Sequence, residues 1–262
     1  MMSSSLKQAG TVMQYELWKI TKSRRLIWMI VLVAIFSVVF AKAIEGTSNN
    51  AIEFGKGFFG APAYMVITIV GVSLGGDMLA YEFERKTGYT LFTNPIKRVT
   101  VVVGKFMACF VSTLLSILVY YLIGTFFMQG TYGWGPATVS GSFGLAILYG
   151  CAVLSLTFLF SSIFDVVLAT MVSFFTLLLF MSIFQVLLTF KMGIEPWFLL
   201  SYTSGTIGAY IDPPAQRIVS TPAPGQSNYA YPDFTLSVIV MLAYIFVSLI
   251  LCIIATKRRE MR

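Results

Sequence analysis

Between Tyr81 and Lys105 the chain reads YEFERKTGYTLFTNPIKRVTVVVGK, a stretch that holds Glu82, Glu84, Arg85, Lys86, Lys97, Arg98 and Lys105. No other long polar interruption between apolar runs is charged so densely. The chemistry such residues offer is charge pairing. Glu82 and Lys86 stand four apart with the acid first, a spacing that supports a helical turn by ~0.2–0.5 kcal/mol. Gly88 suits the left-handed conformation in which helices often end. Pro95 bars a continuous helix through Lys97 and pushes Asn94 toward extended backbone. The stretch therefore reads as a short charged helix, a turn, and an extended or newly helical segment that re-enters an apolar run at Gly104. On charge alone it is equally a solvated loop between two membrane helices.

Catalytic chemistry is poorly served elsewhere. The chain has no histidine, which removes the commonest acid–base residue and metal ligand. Its three cysteines, Cys109, Cys151 and Cys252, each lie in an apolar run. That leaves no disulfide framework and no metal spacing. No HExxH, intramembrane aspartate pair or nucleophile–base pair is present. Val103-Gly104-Lys105-Phe106 lacks the upstream glycine of a phosphate-binding loop. An active transporter built on this chain must draw its energy from another polypeptide.

Composition sets the class. Of 262 residues, 57% are apolar and 11% charged, and mean hydropathy is +0.83. A soluble domain carries ~25% charged residues, so most of this surface does not face water. The reading is an all-α polytopic membrane protein with six transmembrane helices behind an amphipathic interfacial helix. The net charge of +7 is not a nucleic-acid signature, because the basic residues cluster beside the apolar runs.

The elements follow in order. Residues 1–25 hold an amphipathic helix with Leu6, Ala9, Met13, Leu17 and Ile20 on one face. It should lie in the inner interface with Trp18 at headgroup level, and the chain should turn at Ser23-Arg24-Arg25. The membrane domain is 26–256. Span one is Leu26–Ile44; its basic flank and Ala41-Lys42-Ala43 also fit a signal peptide, but the long amphipathic stretch ahead of it argues for retention. Span two is Pro62–Ala80, with Gly71 and Gly75 as a GxxxG pattern. Span three is Phe106–Met128, followed by an uncharged loop from Gln129 to Gly141 with Trp134 as an interface anchor. Residues 142–190 are too long for one span of ~20 residues, so they divide at Ser161–Asp165 into spans four and five. Asp165 belongs at that turn. The outer connection, 191–233, begins with a short helix dipping into the leaflet and continues as a Pro-rich excursion. Span six, Phe234–Thr256, leads to a basic tail, 257–262.

Fourteen of the 18 basic residues fall in the amino-terminal segment, the 81–105 loop and the tail. The positive-inside rule then places both termini in the cytoplasm. No span carries a charge near its centre. That disfavours an ion-coupled carrier or channel, and no internal repeat supports an inverted-repeat carrier. The cargo suggested by such spans is apolar or amphipathic. Phe174, Phe175, Met181 and Phe184 are candidate lining residues, the plain alternative being that they face lipid or neighbouring helices.

The charged stretch resembles one found in permease subunits of ABC exporters of the type 2 family. That pattern has an acidic turn, a glycine, a leucine, Pro with an aliphatic residue, a basic residue, and Gly-Lys opening the next span. Here these are Glu82 and Glu84, Gly88, Leu91, Pro95-Ile96, Arg98 and Gly104-Lys105. The order of elements is similar across nearly the whole chain. This copy departs from the pattern at Lys86-Thr87, and 191–233 carries no recognisable substrate signature. The resemblance implies that Glu82, Glu84, Arg85, Lys86, Gly88, Leu91, Pro95 and Arg98 form a coupling helix seated on a separate ATP-hydrolysing subunit. It also implies pairing with a second permease copy or a paralogue, in a prokaryotic cell membrane. ATP and Mg would then bind the partner ATPase, with no cofactor on this chain. A rival reading is a non-transporting membrane anchor or scaffold; a less favoured one is a secondary carrier or channel.

The topology has a direct test. Single cysteines at Ser140 and Thr221 should react with an impermeant maleimide added to sealed cells, whereas one at Thr93 should not. Labelling at Thr93 would overturn the arrangement.

Overall fold

The structure, a computed structural model, describes residues 2–81, 98–133, 138–192, 195–213, 218–219, 229–230 and 232–258. Helix α1 (Met2–Lys22) ends in a corner where Arg24 takes left-handed angles, φ 57°. Helix α2 (Arg25–Glu45) is span one. Span two is α3 (Ala51–Phe59) followed by α4 (Ala61–Gly75). Span three is α5 (Arg98–Tyr132) and span four is α6 (Val139–Ile163). Span five comprises α7 (Val166–Phe174), a π-helical stretch (Phe175–Phe180), α8 (Met181–Leu187) and a second π-helical stretch (Leu188–Met192). Helix α9 (Leu200–Ala209) lies in the outer connection, and α10 (Phe234–Arg258) is span six. Six of these helical units are long and apolar enough to cross a membrane. The protein is an all-α, multi-pass membrane protein. A two-residue antiparallel ladder, Ile218 with Ala230 and Val219 with Tyr229, lies in the connection between spans five and six.

Spans two, three and four form the centre. Their most apolar windows are 50–56% buried, against 17–22% for spans one, five and six. Helix α4 packs between α5 and α6, α2 lies on α5, and α10 lies on α6. The GxxxG pattern does its work at the α4–α6 contact. A Cβ on Gly71 would sit 2.7 Å from Val153 Cγ1, and one on Gly75 would sit 2.6 Å from Thr157 Oγ1. Two glycines four apart thus receive two side chains four apart, and the helix backbones approach closely.

Three expectations change. Span two begins at Ala51, not Pro62, because α3 is a buried aromatic helix. Phe58 stacks on Tyr120 at 4.6 Å and Phe59 on Tyr121 at 4.4 Å, and the Tyr120 hydroxyl donates to the Phe58 carbonyl at 2.6 Å. Pro62 marks the restart of the helix after the break at Gly60, where its missing N–H costs nothing. Span three begins at Arg98 instead of Phe106, and it runs to Tyr132, so the loop expected from Gln129 is shorter; Trp134 lies outside the described residues. The connection between spans five and six does begin with a short helix, but α9 is buried instead of lying in the leaflet, packed on α3, α4, α6, α8 and α10. The division of residues 142–190 falls where expected, at Phe164-Asp165. Helix α1 turns its apolar face to α5, with Tyr15 and Trp18 exposed on the other side.

The α4–α6 contact gives a stability prediction. Gly71→Ala should destabilise the bundle by ~1–3 kcal/mol through overpacking. Val153→Ala opens space at the same point, so the double variant should lose less than the sum of the singles by ~0.5 kcal/mol or more. Thermal unfolding in detergent measures this; strict additivity would mean that the two residues do not meet.

Candidate functional site

The described chain leaves span two at Tyr81 and returns at Arg98, and the residues around both points are tied to α1 and α2. On the leaving side, Asp77 receives a two-pronged contact from Arg25 at the start of α2. Nη1 lies 2.8 Å from Oδ2 and Nη2 lies 3.0 Å from Oδ1; Nη2 also donates to the Ser73 carbonyl. Fork-to-fork geometry of this kind fixes orientation as well as distance. The backbone N–H groups of Leu79 and Ala80 both donate to Ser161 Oγ of α6, at 3.1 Å each. The Lys19 ammonium of α1 stands 5.4 Å from the centre of the Tyr81 ring, within cation–π range.

On the returning side the contact is an ion pair sealed from solvent. Lys105 Nζ lies 2.7 Å from Glu16 Oε1 of α1, and the two side chains are 1% and 4% exposed. Lys19 adds a second cation, 3.8 Å from Glu16 Oε2. Gly104 makes the approach possible, since a Cβ there would lie 2.8 Å from Val12 Cβ and 2.9 Å from the Ala9 carbonyl oxygen. Gly104-Lys105 therefore has a local physical meaning: the glycine admits α1 and the lysine locks it. Glu16, Lys19, Ile20, Ser23, Arg25, Asp77, Met78 and Tyr81 wall a cavity of about 340 Å³ between these ties. Among the described residues no group of His, Cys, Asp and Glu is placed to hold a metal ion.

The sequence matches the family described as ABC-2 family transporter protein over residues 11–261. The chain belongs to this family. No curated protein matches it significantly. As an ABC-2 family member with six spans, it is a membrane transport subunit.

The candidate coupling residues Glu82, Glu84, Arg85, Lys86, Gly88, Leu91 and Pro95 lie outside the described residues, and Arg98 is the first residue of α5. Of the candidate cargo residues, Phe174, Phe175 and Phe184 are exposed on span five, and Met181 is buried. Met181 instead meets α9, where Ser201 Oγ donates to its carbonyl at 3.1 Å. The four are not one surface. Sequence reading missed Glu16 and the Arg25–Asp77 pair. The available signal was scarcity: Glu16 is the only acid in α1, and Asp77 the only one between Glu53 and Glu82.

The sealed pair sets a second prediction. Glu16→Gln or Lys105→Met strips one partner from a buried charge, a change that costs ~3–5 kcal/mol. Glu16→Leu combined with Lys105→Met should recover most of that loss, because no unpaired charge remains. Thermal unfolding and limited proteolysis after Lys7 report it; single variants as stable as the parent would show that α1 is held by other contacts.

Proposed function

We propose that this chain is the permease subunit of an ABC exporter and that the segment around Glu84 couples it to a separate ATP-hydrolysing subunit. The carrying observation is the anchorage of both ends of that segment. Asp77, Leu79, Ala80 and Tyr81 are pinned where span two ends, and Gly104 and Lys105 where span three starts. A displacement applied between two such anchored helix ends moves both spans together as rigid elements. Glu82, Glu84, Arg85, Lys86, Gly88, Leu91, Pro95 and Arg98 supply the mixed charges and the turn for the contact. ATP and Mg belong to the partner subunit.

The basic end of the bundle, with α1 and the carboxyl terminus, is cytoplasmic in this reading, in a prokaryotic cell membrane. A second permease copy or a paralogue completes the transporter. Spans one, five and six leave the largest apolar faces uncovered, which supports that pairing as well as contact with lipid. The cargo is apolar or amphipathic and leaves the cell. Phe174, Phe175 and Phe184, exposed on span five, are the residues such a molecule or a second copy would meet.

Charged contacts desolvated against a partner are worth ~2–5 kcal/mol when one side is truncated. Glu84→Lys should therefore weaken ATPase association or abolish substrate-stimulated hydrolysis in the reconstituted complex, while six spans still insert. Gly88→Val should leave association and impair coupling. Unchanged assembly and stimulated hydrolysis in Glu84→Lys would remove the coupling role and favour a membrane anchor.

A further inference from the structure

A second cavity, of about 290 Å³, lies toward the opposite end of the bundle from α1. It forms where three irregularities meet. Span two is broken at Gly60. Span five is π-helical at Phe175–Phe180. The buried helix α9 is seated against both, so closely that a Cβ on Gly208 would lie 2.8 Å from Gly60 Cα. Its polar lining is Lys56, Tyr64, Ser182, Gln185, Ser201 and Ser204. Polar residues at membrane depth are costly and, where present, face cavities and pathways.

Part of this lining is structural. The Tyr64 hydroxyl reaches the Leu177 carbonyl at 2.5 Å and Ser182 Oγ at 2.9 Å. Ser201 and Ser204 hydroxyls donate to the carbonyls of Met181 and Ser201. These bonds use the hydroxyl protons and leave oxygen lone pairs as acceptors toward the cavity. Gln185 is different. It is half-buried in an apolar span and lines the cavity, and its side-chain amide makes no hydrogen bond to the described residues. An amide brings two N–H donors and a carbonyl acceptor, and these are accessible from the cavity. The one charge in the lining, Lys56, is paired with Asp212 at 3.3 Å. The site thus offers donors and acceptors with no net charge. Its volume is at the lower end of ligand pockets, ~300–1,000 Å³, which suits a headgroup better than a whole lipid.

The geometry points to a binding site here for an uncharged, hydroxyl-rich group, carried either by an amphipathic molecule or by a free sugar, with Gln185 as its central contact. Its place in transport rests on the permease reading; the binding itself does not.

The full chain in phosphatidylcholine nanodiscs, with no ATPase present, tests it with a photoreactive alkyl glucoside. Crosslinks mapped by mass spectrometry should fall on Tyr64, Ser182–Gln185 and Ser201–Ser204. Unlabelled alkyl glucoside should compete and alkyl phosphocholine should not. Competition by glucose as effective as by the alkyl glucoside supports the site and assigns it to a free sugar; competition by the glucoside alone assigns it to an amphipathic ligand. Gln185→Leu should lower labelling at least tenfold, and Ser182→Leu, which adds apolar bulk to the lining beside Tyr64, should do so independently. Both variants must keep the parent's thermal unfolding profile for the comparison, and Gln185→Asn serves as a polar control that retains part of the labelling. Crosslinks scattered along the exposed face of span five, or equal competition by alkyl phosphocholine, would overturn the proposal. Because no ATPase takes part, that failure leaves the coupling role of Glu84 standing, and loss of that role leaves this site standing.

Discussion

Hydrocarbon provides no hydrogen-bond partner, so every backbone group at membrane depth must be satisfied by the protein itself. The architecture follows from this constraint. Where the ladder is regular, as in α2 and α10, no help is needed and the helix can face lipid. Where it is irregular, another element is brought in. The π-helical stretch of span five meets Tyr64 at the Leu177 carbonyl and Ser201 at the Met181 carbonyl. The Phe58 carbonyl, next to the break in span two, receives the Tyr120 hydroxyl. Helix α9 is packed inward because it covers these interruptions, and Ser142 Oγ of α6 in turn donates to its Ile207 carbonyl at 2.7 Å.

The same accounting governs charge at the basic end. Lys105 is inside the fold, and only Glu16 and the close approach allowed by Gly104 make that placement tolerable. The pair contributes little net stability over an apolar replacement. What it does supply is register: α1 can lie on α5 in one position and not a turn away. Arg25 and Asp77 impose a similar register between the first turn of span one and the end of span two.

Much of this plan was legible in the sequence because long apolar runs and clustered basic residues are strong signals. Spans four, five and six, the hairpin at Asp165 and the GxxxG contact were read from local pattern alone. Span two was not, because Glu53, Lys56 and two glycines dilute the apolar run of α3, while its burial comes from Tyr120 and Tyr121, some sixty residues away. Helix α9 was legible as a short helix but its burial was not, since its cover is supplied by five other helices. The Glu16–Lys105 pair, whose members stand 89 positions apart, leaves no periodic trace. The charged residues from Glu82 to Pro95 remain a sequence argument, and the structure contributes the anchors on either side.

The break at Gly60 gives span two an unusual mechanical character. An unbroken helix behaves as a stiff rod in torsion, because each turn is bonded to the next. Here the bonding lapses around Gly60, and Pro62 has no N–H with which to restore it. The part nearer Asp77, α4, is gripped by α6 through Gly71 and Gly75, whereas the part that carries Lys56, α3, is gripped by the aromatic rings of α5 and by α9. Span two is thus a shaft with a swivel: a twist imposed at Asp77 is borne by the α4–α6 contact and need not rotate Lys56 at the far end.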